Sequence, residues 1–569
     1  MRLINTSTGL LEEFLGRNIP KYAILSHRWE EEEVSIEDMR DPSRYTKKGW
    51  QKIQKTLEIA FQAGLDYAWV DTCCINKSSS AELAEAINSM YRWYQRSEIC
   101  YAFLSDLPAF ESLDVALKQC QWFTRGWTLQ ELIAPENVIF FDRGWNLRGS
   151  KVDLIKPLSM ITGINPAVLR HEKSLASVAV AQKMSWAAHR ETTRIEDTAY
   201  CLLGIFDVHM ALLYGEEGKA FRRLQEEIIK STADLSIFAW RMPLASKPAK
   251  RPKRRHFCSV LAESPLPFAN SISFEKIRNH GLHEFSISNK GVKTKARILS
   301  EEIPGEQRYR YVLSLESFRS TTPKQVLGIR LRMCGDDQYM REDPWNLVKS
   351  TIRLQRFPPR ESYLLTKLPE MNLHPTSQIL DTSQFIAQTR SHVLQIIFPR
   401  NVGIVEASPW GRYDDEDQIF DVSGDSKLDV SAMKLNIIYE LKYRRKAKIE
   451  FHCMFYAVGW SALDAEPQST LVNYQSLSTN LKNVQTEIAT WDPTSSQVAD
   501  LLRYHQIPRS PAATYEIPGT EESIFVSFTT TLESDPKVCP NRFWRIKFIS
   551  EICETRNLLP VEHSTWIPK

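Results

Sequence analysis

Between Lys21 and Asp142 short apolar runs alternate with amphipathic segments, the pattern of a parallel sheet whose strands are joined by crossover helices. Strands are predicted at Tyr22–Ser26, Tyr67–Thr72, Ile99–Ser105 and Val138–Asp142. A helix over Trp50–Ala63 carries Ile53, Leu57, Ile59 and Phe61 and stops at Gly64. A second opens at the capping-box pair Ser79 and Glu82, then sets Leu83, Ile87, Met90, Tyr91 and Tyr94 at three- and four-residue steps along one face. From Lys151 to Lys230 the strand signal gives way to helical stripes, the last marked by Phe221, Leu224 and Ile228. Beyond residue 257 the period changes to two. Val292, Thr294, Ala296 and Ile298 alternate with Lys293, Lys295 and Arg297, and strand-like runs recur at Tyr311–Leu315, Val326–Leu331, Val393–Phe398, Leu435–Leu441, Ile524–Phe528 and Phe543–Ile549. The expectation is an α/β domain over residues 1–150, its helical extension over 151–245, a basic linker at 246–256, and a β-rich, mostly antiparallel domain over 257–569.

The length of 569 residues exceeds what one hydrophobic core supports, in keeping with that division. With 43% apolar and 25% charged residues, wholesale disorder is excluded. The formal charge of +3 implies no nucleic-acid partner. No apolar run is long enough for a membrane span, and Glu12-Glu13 interrupts the start before a signal-peptide core could form, so a cytoplasmic protein is expected. The 10 cysteines show no CxxC pair and no metal-type spacing, so reduced thiols and no metal are expected. The run Lys247-Pro248-Ala249-Lys250-Arg251-Pro252-Lys253-Arg254-Arg255 reads first as a solvated linker and second as a nuclear-localisation signal. Neither GxxxxGK[ST] nor GxGxxG occurs, which disfavours P-loop NTPases and Rossmann dehydrogenases.

Ligands of doubly wound sheets gather at the carboxyl ends of the strands, where this chain carries Ser26-His27-Arg28-Trp29, Asp71-Thr72-Cys73-Cys74, Ser105-Asp106 and Asp142. In Phe123–Leu132 a helical spacing puts Trp127 and Glu131 one turn apart on one face, an aromatic wall beside a carboxylate. Such a carboxylate can hydrogen-bond a ribose hydroxyl and stabilise an oxocarbenium-like transition state. The plainer alternative is that Glu131 caps its helix or pairs locally with Arg125. His27 with Cys73 or Cys74 is a second possible constellation, an imidazole-activated thiolate, against which stands ordinary burial of free cysteines. Arg194-Ile195-Glu196-Asp197 and Tyr214-Gly215-Glu216-Glu217-Gly218 read as caps and interhelical pairs, and Tyr413–Ser426 as a surface loop without chemistry.

Four ordered motifs resemble the fungal heterokaryon incompatibility (HET) domain family: Tyr22-Ala23-Ile24-Leu25-Ser26-His27-Arg28-Trp29, Gly64–Lys77, Ala86–Tyr94 and Arg125–Pro135. The similarity runs through Ala181–Ala188 and Tyr214-Gly215 to Phe238-Ala239-Trp240, and more loosely into the β-rich half. Two stretches depart from the family pattern: Arg28-Trp29-Glu30 replaces Thr-Trp-Gly, and Gly215-Glu216-Glu217-Gly218 replaces Gly-Glu-Gly-Glu. The HET domain in turn resembles a divergent TIR domain, implying a TIR-like, flavodoxin-like parallel sheet. In catalytic TIR domains a helix-borne glutamate supports cleavage of the nicotinamide–ribose bond of NAD.

Carried over by position, the resemblance makes Glu131 the candidate catalytic carboxylate and Arg28 and Trp127 candidate substrate-positioning residues, with Thr128 in place of a TIR cysteine; with the strand-end residues Ser26, His27, Trp29 and Asp71 the last two make up the candidate substrate-binding set. No cofactor is implied; NAD is the candidate substrate. The family implies an effector of growth arrest or programmed cell death after non-self recognition, acting with a separate recognition protein and self-associating through the TIR-like domain. The alternative is a non-enzymatic adaptor that oligomerises through the same surface.

Overall fold

The computed structural model describes residues 1–243, apart from residues 17 and 110–112, and beyond them chiefly the strands and adjoining turns between residues 257 and 554. The N-terminal region is a mixed sheet flanked by helices. Its strands are β1 (Arg2–Asn5), β2 (Leu11–Glu13), β3 (Tyr22–His27), β4 (Tyr67–Trp69), β5 (Ile99–Phe103), β6 (Val138–Phe141) and β7 (Leu147–Ser150), in the order β2-β1-β4-β3-β5-β6-β7. The four expected strands form the parallel centre, β4-β3-β5-β6, so the strand order reverses beside β3, where ligands of open α/β sheets collect.

The sheet is wider than the sequence indicated. The β1–β2 hairpin adds an antiparallel edge to β4, and β7 adds another to β6. Both edges are three or four residues long with at most two buried positions, too short for a period-two signal. The second predicted strand ends early, at Trp69, because Asp71–Cys74 turns into a short helix, α2.

The crossover helices lie where the periodicity put them: α1 spans Trp50–Gln62 and α3 spans Ser80–Arg96. Ser79 caps α3 by accepting from the Glu82 N–H, but the box is only half formed. The Glu82 carboxylate instead takes the Arg2 guanidinium and the Asn76 N–H, tying α3 to the edge strand β1. On the inner face Ala86, Ile87, Met90 and Tyr94 are buried. After α4 (Leu113–Gln119) and α5 (Thr128–Ile133), the extension continues as α6 (Ile155–Thr162), α7 (Pro166–Leu169), α8 (Val180–Ala187), α9 (Asp197–Tyr200), α10 (Leu203–Phe206) and α11 (Lys219–Ser231). The stripe Phe221, Leu224 and Ile228 of α11 is fully buried.

Among the described residues the β-rich half contains sheets of nine, six and four strands, and every predicted strand overlaps a strand of one of them. Among the described residues pairing there is antiparallel except at two parallel contacts, Gln338–Glu342 with Arg360–Leu364 and Val393–Ile397 with Phe543–Glu554. The Ser/Asp-rich stretch expected to be a featureless loop holds a buried ion pair, Asp414 with Arg332 at 2.9 Å, so that expectation is corrected. The basic run at 247–255 lies outside the described residues.

One hydrophobic core runs from Leu3 to Leu364, through the α/β sheet, the helical extension and the nine-stranded sheet. Polar bonds reinforce that joint. Gln225 of α11 exchanges both amide hydrogen bonds with the backbone of Ala262, and Arg222 reaches Thr366 at 2.8 Å. Arg341, fully buried, donates to the carbonyls of Phe238 and Trp240 with its guanidinium 3.7 Å from the Trp240 ring. Desolvation lowers its pKa to about 10, still well above neutrality. Among the described residues no helix is long and apolar enough to cross a membrane.

Candidate functional site

At the carboxyl end of β3 the alternation of side chains sorts four consecutive residues onto two sides. Ser26 and Arg28 point toward the turn Gln121–Thr124. The Ser26 hydroxyl accepts from the Trp122 indole N–H at 2.9 Å, and Arg28 bonds to Gln121. His27 and Trp29 point toward Asp71: Trp29 Nε1 donates to Asp71 Oδ2 at 2.7 Å, and His27 Nδ1 lies 3.9 Å from Asp71 Oδ1.

This second side opens into a cleft of about 330 Å³. His27, Trp29, Asp71, Trp127 and Glu131 all line it, so five of the seven predicted site residues meet at one place. Ser26 lies fully buried behind the wall and touches the site through Glu131. Arg28 is not among the residues that line the cleft; it is exposed and bonded to Gln121, on the side to which the strand alternation also turns Ser26.

Glu131 sits in the first turn of α5, only 6% exposed, and its Oε2 accepts the Ser26 hydroxyl at 2.5 Å. Burial raises its pKa to about 8; the Ser26 bond works against that shift, the charge of Asp71 works with it, and Arg125 opposes it. The local alternatives for this residue therefore give way: its carboxylate is bound across the domain by Ser26 and not by Arg125 or its own helix end. Asp71 is likewise pushed up by burial, and burial moves Lys77 down where its ammonium lies 3.6 Å over the Trp29 ring.

The His27 ring is enclosed, with Glu33 on one side and Asp71 on the other, both at 3.9 Å. Neither ring nitrogen has a hydrogen-bond partner among the described residues. Desolvation, helped by Lys52 and Lys77, holds its pKa well below the ordinary value, so the ring is neutral at physiological pH. The thiol constellation does not form. Cys73 and Cys74 are buried outside the cleft, and the hydrogen bond that the Cys73 thiol donates to Cys74, with burial, pushes that thiol far above the range where a thiolate would be populated.

The fourth wall comes from the helical extension, through Thr193, Arg194, Asp197 and Tyr214. Sequence reading treated these residues as caps and pairs, which they also are. Glu196 Oε1 accepts the N–H groups of Gly215 and Glu217 at 2.7 and 3.1 Å, fastening the two motifs to each other, and the Tyr214 hydroxyl donates to Asp197 at 2.9 Å. Burial raises the Asp197 carboxyl. The available signal was Gly126. A Cβ there would lie 2.6 Å from Thr192 Cγ2, and its N–H donates to the Glu191 carbonyl at 2.8 Å, so a glycine between Arg125 and Trp127 marks close approach by another segment. Among the described residues no group of three or more His, Cys, Asp or Glu side chains could hold a metal ion.

Comparison with known proteins agrees with the motif reading. Residues 22–118 match the family model described as heterokaryon incompatibility protein (HET), and residues 219–297 match a domain of unknown function (DUF8212) that spans the junction of α11 with the nine-stranded sheet. The vegetative incompatibility protein HET-E-1 of Podospora anserina is 47% identical over 232 residues, covering 38% of this chain and 17% of that protein. The chain thus spans about a sixth of the length of that relative. No solved structure matches.

Proposed function

We propose that this chain, a fungal HET-domain protein, acts as an effector of heterokaryon incompatibility whose α/β domain cleaves the nicotinamide–ribose bond of NAD, in the cytoplasm and on a signal from a separate recognition protein. The observation that carries the chemical part is Glu131: a carboxyl group buried on the wall of a cleft, oriented by Ser26, with Trp127 and Trp29 on the same lining. The parallel order β4-β3-β5-β6 supports the TIR-like, flavodoxin-like reading from which the reaction is drawn.

In the proposed reaction the glycosidic C–N bond breaks with its electron pair leaving on the nicotinamide nitrogen, and the ribosyl C1′ becomes oxocarbenium-like. Water adds at C1′ and loses one proton, so that NAD and water give ADP-ribose, nicotinamide and a proton. Ionised Glu131 stabilises the positive ribosyl centre and accepts a ribose hydroxyl. The cationic nicotinamide ring of a bound substrate favours that ionised form, drawing the raised pKa down on binding. Trp127 provides a flat face for the ring.

The test is nicotinamide release from NAD by the purified full chain and by Glu131→Gln. The full chain is required because the core of the α/β domain continues into the nine-stranded sheet. Turnover by wild type with at least about a hundredfold loss in the variant is expected. A folded, self-associating wild type that leaves NAD intact would refute the enzymatic reading and leave the oligomerising adaptor.

A further inference from the structure

The reaction proposed above uses Glu131 and the aromatic faces but leaves three cations of the same cleft without a task. Lys77 lies over Trp29, Arg125 Nη1 reaches Thr193 Oγ1 at 3.3 Å, and the Arg194 guanidinium lies 4.4 Å from the Tyr214 ring centre. Among the described residues none of the three forms an ion pair, whereas nearby Lys52 is paired with Glu33 and Arg223 with Glu216. The carboxyl groups of the cleft are each engaged by another partner: Asp71 by the Trp29 indole, Glu131 by Ser26 and Asp197 by Tyr214. The cleft therefore offers positive charge and ring faces together.

Arg194 is held in place from both ends. Upstream, Arg125 and Glu191 form a β-bridge, and Gly126 allows Thr192 to pack against it. Downstream, Glu196 gathers the Gly215 and Glu217 N–H groups, and Tyr214, over which Arg194 stacks, is anchored on Asp197. A cation fixed before a ligand arrives loses little freedom on binding. It is also exposed at the mouth, not enclosed at the floor with Glu131.

We propose that Lys77, Arg125 and Arg194 form a phosphate-reading rim, that Arg194 is its specificity-determining member, and that the helical extension thereby completes the site within one chain. This inference rests on the nucleotide reading of the cleft given above. A guanidinium matches phosphate oxygens in a two-pronged fashion, and an ammonium serves as a point charge. The cleft volume of about 330 Å³ lies at the small end of ligand sites. One mononucleotide half fills it, with the ribosyl bond beside Glu131 and the phosphate at the mouth beside Arg194.

Calorimetric titration of the full chain with nicotinamide mononucleotide and with nicotinamide riboside, which differ by one phosphate, tests this directly. Wild type is expected to bind the mononucleotide at least about tenfold more tightly. Arg194→Ala should bring the two affinities within about twofold of each other by weakening the mononucleotide alone, and Arg194→Lys should keep part of the preference. An unchanged preference in Arg194→Ala, or an equal loss for both compounds, overturns the assignment of Arg194. Wild type that binds neither compound overturns the nucleotide reading itself, and this inference with it.

Discussion

Ser26 and Glu131, 105 residues apart in the chain, share a hydrogen bond of 2.5 Å in which the serine hydroxyl donates and the carboxylate accepts. Ser26 has its oxygen engaged by the Trp122 indole N–H at 2.9 Å, which leaves its own proton directed at Glu131. The pair joins the end of β3 to the first turn of α5 and sets two opposing influences on one carboxyl. Burial favours its neutral form, and the serine favours its ionised form.

That opposition predicts a pH profile. With ionised Glu131 required in the free enzyme, kcat/KM for NAD should rise about tenfold per pH unit below about 8 and level above it. Ser26→Ala removes an influence that lowers the pKa, so its acid limb should move to higher pH. Steady-state rates between about pH 6 and 9.5 check both expectations; a limb that stays in place in Ser26→Ala would show that the serine does not tune the carboxyl.

The same carboxyl predicts a stability difference of definite sign. Its folded-state pKa of about 8 lies above the ordinary 4.5, so between those values the folded protein holds a proton that the unfolded chain has released. Wild-type stability from this group is therefore full below about 4.5 and is lost as pH rises through 8. Glu131→Gln stays neutral throughout. It should equal wild type near pH 4.5 and exceed it by roughly 2–5 kcal/mol at pH 9, while losing activity. Denaturant unfolding at the two pH values reads this out; a variant less stable at pH 9 would refute it.

The sheet centre, α1 and α3 were legible in the sequence because each carries a long enough apolar period. Leu83, Ile87 and Met90 were placed on one face of α3 by spacing alone, and they line the cleft. The wall at Arg194 and Tyr214 was not legible. These residues stand apart from the α/β motifs in sequence, and their approach to Arg125 depends on the backbone contact at Gly126, which has no periodicity to read. Arg28 parts from the cleft lining for a related reason. Consecutive residues at a strand end face opposite sides, so a motif read as one unit divides into a cleft half and a non-cleft half.

The two departures from the HET pattern have different consequences. Glu30 replaces a family glycine without a positive φ, so the loop after Trp29 needs no glycine there. Glu217 replaces another and does adopt the left-handed region, with φ of 52°. Its N–H bonds Glu196, which holds the residue in that conformation. Glu217→Gly should keep that bond and relieve the backbone, raising stability by about 1 kcal/mol, less the added chain entropy of glycine in the unfolded state. Thermal unfolding of the variant checks the sign; a lower midpoint would show that the Glu217 side chain outweighs the strain.

Arg341 tests whether the β-rich half is separable from the site. It is buried between the nine-stranded sheet and the end of the helical extension, and its two donors satisfy the carbonyls of Phe238 and Trp240. Arg341→Ala leaves both carbonyls without that partner and opens space under the Trp240 ring, which itself donates to Val260 at 2.8 Å. A loss of about 2–4 kcal/mol is expected. Because one core continues from Leu3 to Leu364, that loss should lower the midpoint at which the α/β domain melts, not only that of the sheet carrying the residue. Hydrogen exchange resolved by peptide mass spectrometry along a denaturant series, read on the segments around Trp69 and Trp122 of the α/β domain, distinguishes the cases. A midpoint for these segments that matches wild type would show two independent units and make a fragment ending near residue 240 a workable enzyme.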